Sequence, residues 1–288
     1  MFRIDAHHHL WHYDADEYAW ITDDLAPLRR DFVAADLIAT LADAGLQGAI
    51  TVQARQNVKE TEWLLQVAAV TPPVLGVVGW LPLRDPALPE LLERFSQVAL
   101  LKGLRHVVQA EPAGFMDDAA FREGLAHVAA AGLTYDLLIV EQQLEEATRL
   151  VDAFPQISFV LDHIAKPRMG DGDMTEWSRG IVELARRPNT VCKVSGIVTE
   201  ASSGAWSAKS LRPYYEVVLD AFTPKRLLFG SDWPVVLARC SYVDWFRIVQ
   251  GWTADLSAME QAAIFGENAV RVYGVAKREA ATQQGERA

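Results

Sequence analysis

Residues 3–11 read RIDAHHHLW, and residues 227–235 read LLFGSDWPV. Each is a short apolar run that ends on a cluster of polar, chemically capable side chains. An open doubly wound sheet would follow its first strand with a glycine-rich phosphate turn, and here that turn is HHHLW. Outward from these two stretches, β-branched or apolar runs recur at residues 3–7, 49–52, 74–79, 101–107, 134–139, 158–161, 190–194 and 227–229. Between them lie segments such as ETEWLLQVAAV, DAAFREGLAHVAAAG, VEQQLEEATRLVDAF and MTEWSRGIVELARR. These place apolar residues at i, i+3, i+4 and i+7, the pattern of amphipathic helices. Gly45, Gly132 and Pro155 stand where such helices would stop. Strands alternating with helices predict a parallel sheet. The even spacing from the second strand onward favours its closure into a (β/α)₈ TIM barrel, a single domain over residues 1–276. Residues 10–30, rich in Trp, Tyr and Asp, are expected to cover the barrel mouth, and the polar tail 277–288 to fray.

With 288 residues, half of them hydrophobic, the chain can bury a substantial core. Its 38 acidic and 27 basic residues give a net charge of −11, which disfavours nucleic acid and anionic membranes as partners. A small-molecule substrate is the expected partner, and the oligomeric state is left open. Nothing argues that Cys192 and Cys240 are paired. The amino terminus lacks a basic region followed by an apolar run and a cleavage site. No apolar stretch approaches the roughly 20 residues that span a bilayer. A soluble cytoplasmic protein is therefore expected.

The polar residues gather at the ends of the predicted strands. His7 and His9 end the first, Gln53 and Arg55 the second, and Arg105 and His106 the fourth. Asp162 and His163 end the sixth, Lys193 and Ser195 the seventh, and Ser231, Asp232 and Trp233 the eighth. Barrels of this kind carry their active sites at the carboxyl ends of the strands, where strands one and eight are neighbours. His7, His9 and Asp232 should therefore converge. A period of two puts His7 and His9 on one side and His8 on the other. Paired imidazoles can bind a metal or polarise a carbonyl, and a carboxylate can take a proton from water.

Simpler roles exist for several of these groups. Asp232 could cap a helix, since Pro234 follows, but capping does not require the other residues. His163 could fasten the strand-six loop, and Arg105 could form an internal salt bridge. His8 reads as structural, and His12 and His127 as solvent-side or packing residues. Trp80 and Trp233 could be core, or the apolar platform that a sugar-like ring needs.

The series IDAHHHLW, VQARQNVKETEWLL, LKGLRHVVQ, FVLDHIAKP, KVSG, LLFGSDWPV and IFGENAVRVYG resembles the amidohydrolase superfamily, and within it the branch of sugar-lactone and pyrone-dicarboxylate lactonases. The match runs in order over nearly the whole chain. The resemblance implies that His7 and His9 are the strand-one pair, His163 the strand-six histidine and Asp232 the general base. It departs from metal-dependent members in having Arg105 and His106 on strand four and no histidine in TYDLLIV of strand five, which argues against a binuclear centre. The branch implies no required cofactor, the carbonyl being polarised by His and Arg. A single Zn²⁺ held by His7, His9 and Asp232 fits on ligand type.

The expected reaction is hydrolysis of an aldonolactone, of L-fucono or L-rhamnono type, to the open hydroxy acid. Asp232 would deprotonate water, and His7, His9, His163 and Arg105 would stabilise the oxyanion. Gln53, Arg55, Trp80, His106, Lys193 and Trp233 are the candidate substrate contacts. A dicarboxylate lactone is the alternative substrate, anchored by Arg55, Arg105 and Lys193. A zinc-dependent amidohydrolase or decarboxylase on the same barrel is the alternative chemistry.

Overall fold

The computed structural model describes residues 1–169, 173–201 and 206–276, so the tail expected to fray lies outside the described residues. Eight strands appear where the apolar runs predict them: β1 (Ile4–His8), β2 (Gly48–Val52), β3 (Val74–Gly79), β4 (Leu101–His106), β5 (Thr134–Leu137), β6 (Phe159–Leu161), β7 (Thr190–Val194) and β8 (Leu227–Phe229). They pair in chain order, every neighbour parallel. The ring closes through a bridge between His8 and Trp233. There the His9 amide donates to the Trp233 carbonyl at 2.7 Å, and the Asp232 amide to the His7 carbonyl at 2.8 Å. This is a (β/α)₈ barrel.

The surrounding helices are α1 (Ala34–Ala44), α2 (Val58–Val70), α3 (Leu88–Phe95), α4 (Ala119–Ala130), α5 (Leu144–Ala153), α6 (Thr175–Ala185), α7 (Ile197–Glu200), α8 (Ala208–Phe222), α9 (Tyr242–Trp252), α10 (Ala258–Ala262) and α11 (Asn268–Tyr273). Asn57, Asp118, Ser207 and Ser241 open α2, α4, α8 and α9 with side chains that accept a first-turn amide. Each such cap stabilises its helix by about 1 kcal/mol. The helices end just before Gly45, Gly132 and Pro155, as the sequence predicts.

Two apolar layers follow from this arrangement. One lies between sheet and helices and includes Leu37, Leu41, Phe121, Leu125, Trp245 and Val249. The other fills the barrel with Ile4, Ala6, Ile50, Val52, Val160 and Leu228, and Ala269 and Tyr273 of α11 pack against it. Residues 10–32 fold over the ends of β1, β2 and β8. Trp11 and Phe32 exchange backbone hydrogen bonds at 2.9 Å, Phe32 packs its ring on Trp233, and Glu17 ion-pairs with Arg55.

β1 does not keep a strict alternation. Asp5 pairs with Ala49 but His8 with Thr51, so an extra residue bulges from β1. A bulge lets consecutive residues face the same way. Ala6 joins the inner apolar layer, and His7 points inward to Lys193 and Asp162. Asp5 turns outward and accepts the Tyr242 hydroxyl of α9 at 3.0 Å.

Candidate active site

Four side chains meet above the inner apolar layer. His7 Nε2 and His9 Nε2 are 3.3 Å apart. Asp232 Oδ1 lies 3.3 Å from His9 Nε2, 3.7 Å from His7 Nε2 and 3.9 Å from His163 Nε2. All four residues are buried. The chain crowds together to achieve this. A Cβ on Gly230 would lie 2.8 Å from that of His7, and one on Gly196 would lie 2.5 Å from His163 Nδ1. His163, Ile164, Ala165 and Lys166 all have positive φ, between 45° and 60°, and Asp232 has φ 58°. Such backbone costs about 1–2 kcal/mol per non-glycine residue and clusters at functional sites. The Trp177 indole N–H, donating to the Ile164 carbonyl at 2.8 Å, helps to hold the strained turn.

The proton inventory tests whether a metal fits. His9 Nδ1 lies 2.8 Å from the Val52 carbonyl, which can only accept, so the His9 proton sits there and Nε2 is a bare lone pair. His7 Nδ1 lies 3.2 Å from Asp162 Oδ1. A proton there leaves His7 Nε2 bare as well. Two nitrogen lone pairs and a carboxylate oxygen then face one another at 3.3–3.7 Å. Donors in tetrahedral zinc sites, bound at about 2.0–2.1 Å, stand roughly 3.4 Å apart. The set His7, His9 and Asp232 fits a single divalent ion such as Zn²⁺. His7, Asp162 and His163 also cluster, but Asp162 already bonds Lys193 Nζ and Arg105 Nη1, each at 3.0 Å.

Burial sets the charge states. It drives His7 well below its ordinary value and His163 down to about 4. Burial would raise the Asp232 carboxyl, but its histidine neighbours, His163 foremost, outweigh it and hold the group well below the usual carboxylate range. Burial opposes the Asp162 charge too, and Lys193, His7 and Arg105 overcome it. At neutral pH the site therefore holds an ionised Asp232 beside uncharged His7 and His163 imidazoles.

The remaining predicted site residues divide. Arg105 reaches the cluster, with Nη1 3.3 Å from His7 Nε2, but it also donates to Asp162 and, through Nη2, to the Gln53 carbonyl. Gln53 lies against Arg105 and donates its amide to the Arg105 carbonyl. Lys193 is fully buried and paired with Asp136 and Asp162, its Nζ 3.1 Å from His7 Nδ1. Arg55 ion-pairs with Glu17 and Glu60 and stacks over Tyr18. Trp80 donates its indole N–H to His106 Nδ1 at 3.1 Å. The two line a cavity of about 410 Å³ with Phe115 and Phe121, and none of the four clustered residues lines it. Trp233 is buried against Phe32. Sequence reasoning assigned no role to Asp136, although a lone carboxylate within TYDLLIV was the available signal. It gave none to Asp162 or to Ser195, whose hydroxyl lies 2.9 Å from His163 Nδ1.

Residues 4–275 match the family model described as Amidohydrolase. The chain belongs to the amidohydrolase family. It is a hydrolase whose relatives include sugar lactonases. It is 37% identical over 285 residues to an L-fucono-1,5-lactonase of Burkholderia multivorans, covering 95% of this chain and 96% of that one. It is 31% identical over 280 residues to an L-fucono-1,5-lactonase of Burkholderia ambifaria, with coverages of 95% and 96%. A crystal structure of a Burkholderia multivorans amidohydrolase with bound zinc superposes with a TM-score of 0.92 at 37% identity, over 96% of this chain and 100% of that one.

Proposed function

We propose that this amidohydrolase opens a neutral aldonolactone, of L-fucono type, to the corresponding hydroxy acid. The observation that carries this reading is the Asp232 carboxylate set against His7, His9 and His163 at 3.3–3.9 Å. Such a carboxylate can take a proton from water, while neighbouring imidazoles orient the carbonyl. The sugar-lactone relatives support the substrate class. So does the pairing of the three cations that a dicarboxylate would need. Arg55 is matched to Glu17 and Glu60, Arg105 to Asp162, and Lys193 to Asp136 and Asp162.

In this mechanism Asp232 accepts a proton from water as the water oxygen bonds to the ring carbonyl carbon. His163, its Nδ1 held by the Ser195 hydroxyl, directs Nε2 at the same space and stabilises the developing oxyanion. The carbon–oxygen ring bond then breaks, and Asp232 returns its proton to the leaving alkoxide. His7, His9 and Asp232 would hold the divalent ion, which when bound supplies Lewis acidity to the carbonyl. Residues 10–32 and Trp233 keep bulk water from the site.

The test is a pH-indicator screen, because each turnover releases one proton. A panel of aldonolactones should show kcat/KM graded by stereochemistry, with L-fucono configurations among the best. Each misplaced hydroxyl should cost about 1–3 kcal/mol, or roughly 5- to 150-fold. Preference for pyrone or muconate dicarboxylate lactones would overturn the reading.

A further inference from the structure

Lys193 and Asp136 take no step in the chemistry just described, yet both are fully buried. A buried ion pair is costly to desolvate, and an apolar pair of similar volume often serves stability as well. Val191, two residues before Lys193 on the same strand, belongs to the inner apolar layer. An aliphatic residue at 193 would extend that layer.

What the pair does instead is grip one edge of His7. Lys193 Nζ lies 2.5 Å from Asp136 Oδ2, 3.0 Å from Asp162 Oδ1 and 3.1 Å from His7 Nδ1. The ammonium donates to the Asp136 and Asp162 carboxylates, and the His7 Nδ1 proton faces Asp162 Oδ1 beside it. Asp136 is fixed in turn by the Tyr273 hydroxyl of α11 at 2.9 Å. Asp162 Oδ1, held by Lys193, is the group 3.2 Å from His7 Nδ1. The opposite edge of the ring, Nε2, faces His9 and Asp232. Residues of β5, β7 and α11, with Asp162 just past β6, thus converge on the Nδ1 side of one imidazole.

We infer that Lys193 and Asp136 are positioning residues that, through Asp162, fix the plane and direction of His7 so that its Nε2 completes the ligand set with His9 and Asp232. This role rests on that set being the working face of the proposed lactonase, whichever lactone it cleaves.

The experiment compares Lys193→Met/Asp136→Asn with wild type. The double variant removes both charges together, keeps the net charge, and leaves the Asp162–Arg105 pair in place. Co²⁺ is titrated into metal-free protein and followed by its visible absorption, which reports both affinity and ligand geometry. Thermal unfolding is measured alongside. Loss of such supporting partners costs about 10- to 100-fold in metal affinity, so the Co²⁺ dissociation constant should rise by that factor with an altered spectrum in a folded protein. On the best lactone kcat should fall with KM little changed, because neither residue can reach substrate. A folded double variant that binds Co²⁺ with wild-type affinity and spectrum overturns the inference. Should the double variant not fold, Asp136→Asn alone is titrated. There a weaker, spectrally altered Co²⁺ site supports the inference and an unchanged one overturns it. Failure of wild type to open any lactone would sink the proposed function and leave the Co²⁺ result standing.

Discussion

Gly196→Ala should disable the site through a single methyl group. Gly196 follows β7 with φ +64°, and a Cβ there would lie 2.5 Å from His163 Nδ1 and 2.7 Å from its Cγ. Ordinary van der Waals contact begins at 3.4 Å. The imidazole must therefore retreat by about 0.9 Å, and a misplacement of ~1 Å costs about 10²-fold in rate. The Ser195 hydroxyl, 2.9 Å from the same Nδ1, would lose its partner as the ring moves. The left-handed backbone adds about 1–2 kcal/mol of strain for alanine, worth a few degrees of Tm at this chain length. Gly132→Ala is the matched control: φ is +69° and nothing lies within 4 Å of the added methyl. It carries the same backbone strain with no ring to displace. Turnover on the best lactone, by proton release, should fall about 10²-fold for Gly196→Ala and stay near wild type for Gly132→Ala. Both should lose similar Tm from the backbone. A folded Gly196→Ala enzyme with near-normal kcat would refute the claim that His163 must stand where it does.

Three further outcomes are expected. Asp232→Asn keeps the shape but removes the proton acceptor, so kcat should drop by at least ~10² with Tm preserved, and normal turnover in the folded variant would sink the base assignment. Zn²⁺ titrated into metal-free protein should bind with one-to-one stoichiometry and stabilise the fold by about 2.7 kcal/mol at a hundredfold excess over Kd. His9→Gln should weaken that binding sharply, and two equivalents or an unaffected variant would contradict the ligand set. His8 is depressed by burial, and by His9, from the ordinary 6.5 to about 3. Its contribution to stability is therefore complete above pH 6.5 and is lost at roughly 1.4 kcal/mol per unit as pH falls from 6.5 towards 3. In His8→Gln the unfolding free energy should fall less steeply between about pH 6 and 4, by one proton's slope. Urea melts across that range would show identical slopes if the idea is wrong.

The strands were legible because a barrel strand is a buried apolar run, and little else in this chain looks like one. Their carboxyl ends were legible because polar side chains such as His7, His163 and Asp232 follow such runs directly. What the sequence could not show was which partner each charge takes. Lys193 and Arg55 read as substrate clamps until the structure matched them with Asp136, Asp162, Glu17 and Glu60. The bulge in β1 was equally hidden. Period two places Asp5 and His7 on one face, yet Asp5 turns out to Tyr242 while His7 turns in. Nor do residue types announce the left-handed turn from His163 to Lys166, because Ile164 and Ala165 have no preference for that conformation. It follows from tertiary constraint, including the Trp177 bond to the Ile164 carbonyl.

Four buried aspartates surround the top of the barrel, and their partners decide which one can act as a base. Asp5 accepts the Ser231 hydroxyl and amide, the His7 amide and the Tyr242 hydroxyl. These donors do not offset the burial that raises its carboxyl to about 6. Asp136 is paired with Lys193, and Asp162 with Lys193, Arg105 and His7. A base tied to a fixed cation would have to surrender that interaction to accept a proton, which opposes the transfer. The charge partners of Asp232 are imidazoles alone, with no Lys or Arg among them. An imidazole can be neutral or protonated, donor or acceptor, so the site can take up a proton at Asp232 without stranding a buried cation. The same lack of a fixed cation leaves a negative charge at the mouth for a divalent ion to neutralise. On the proposed mechanism, the placement of Lys193 and Arg105 on the Asp136 and Asp162 side therefore favours Asp232 as both the base and a metal ligand.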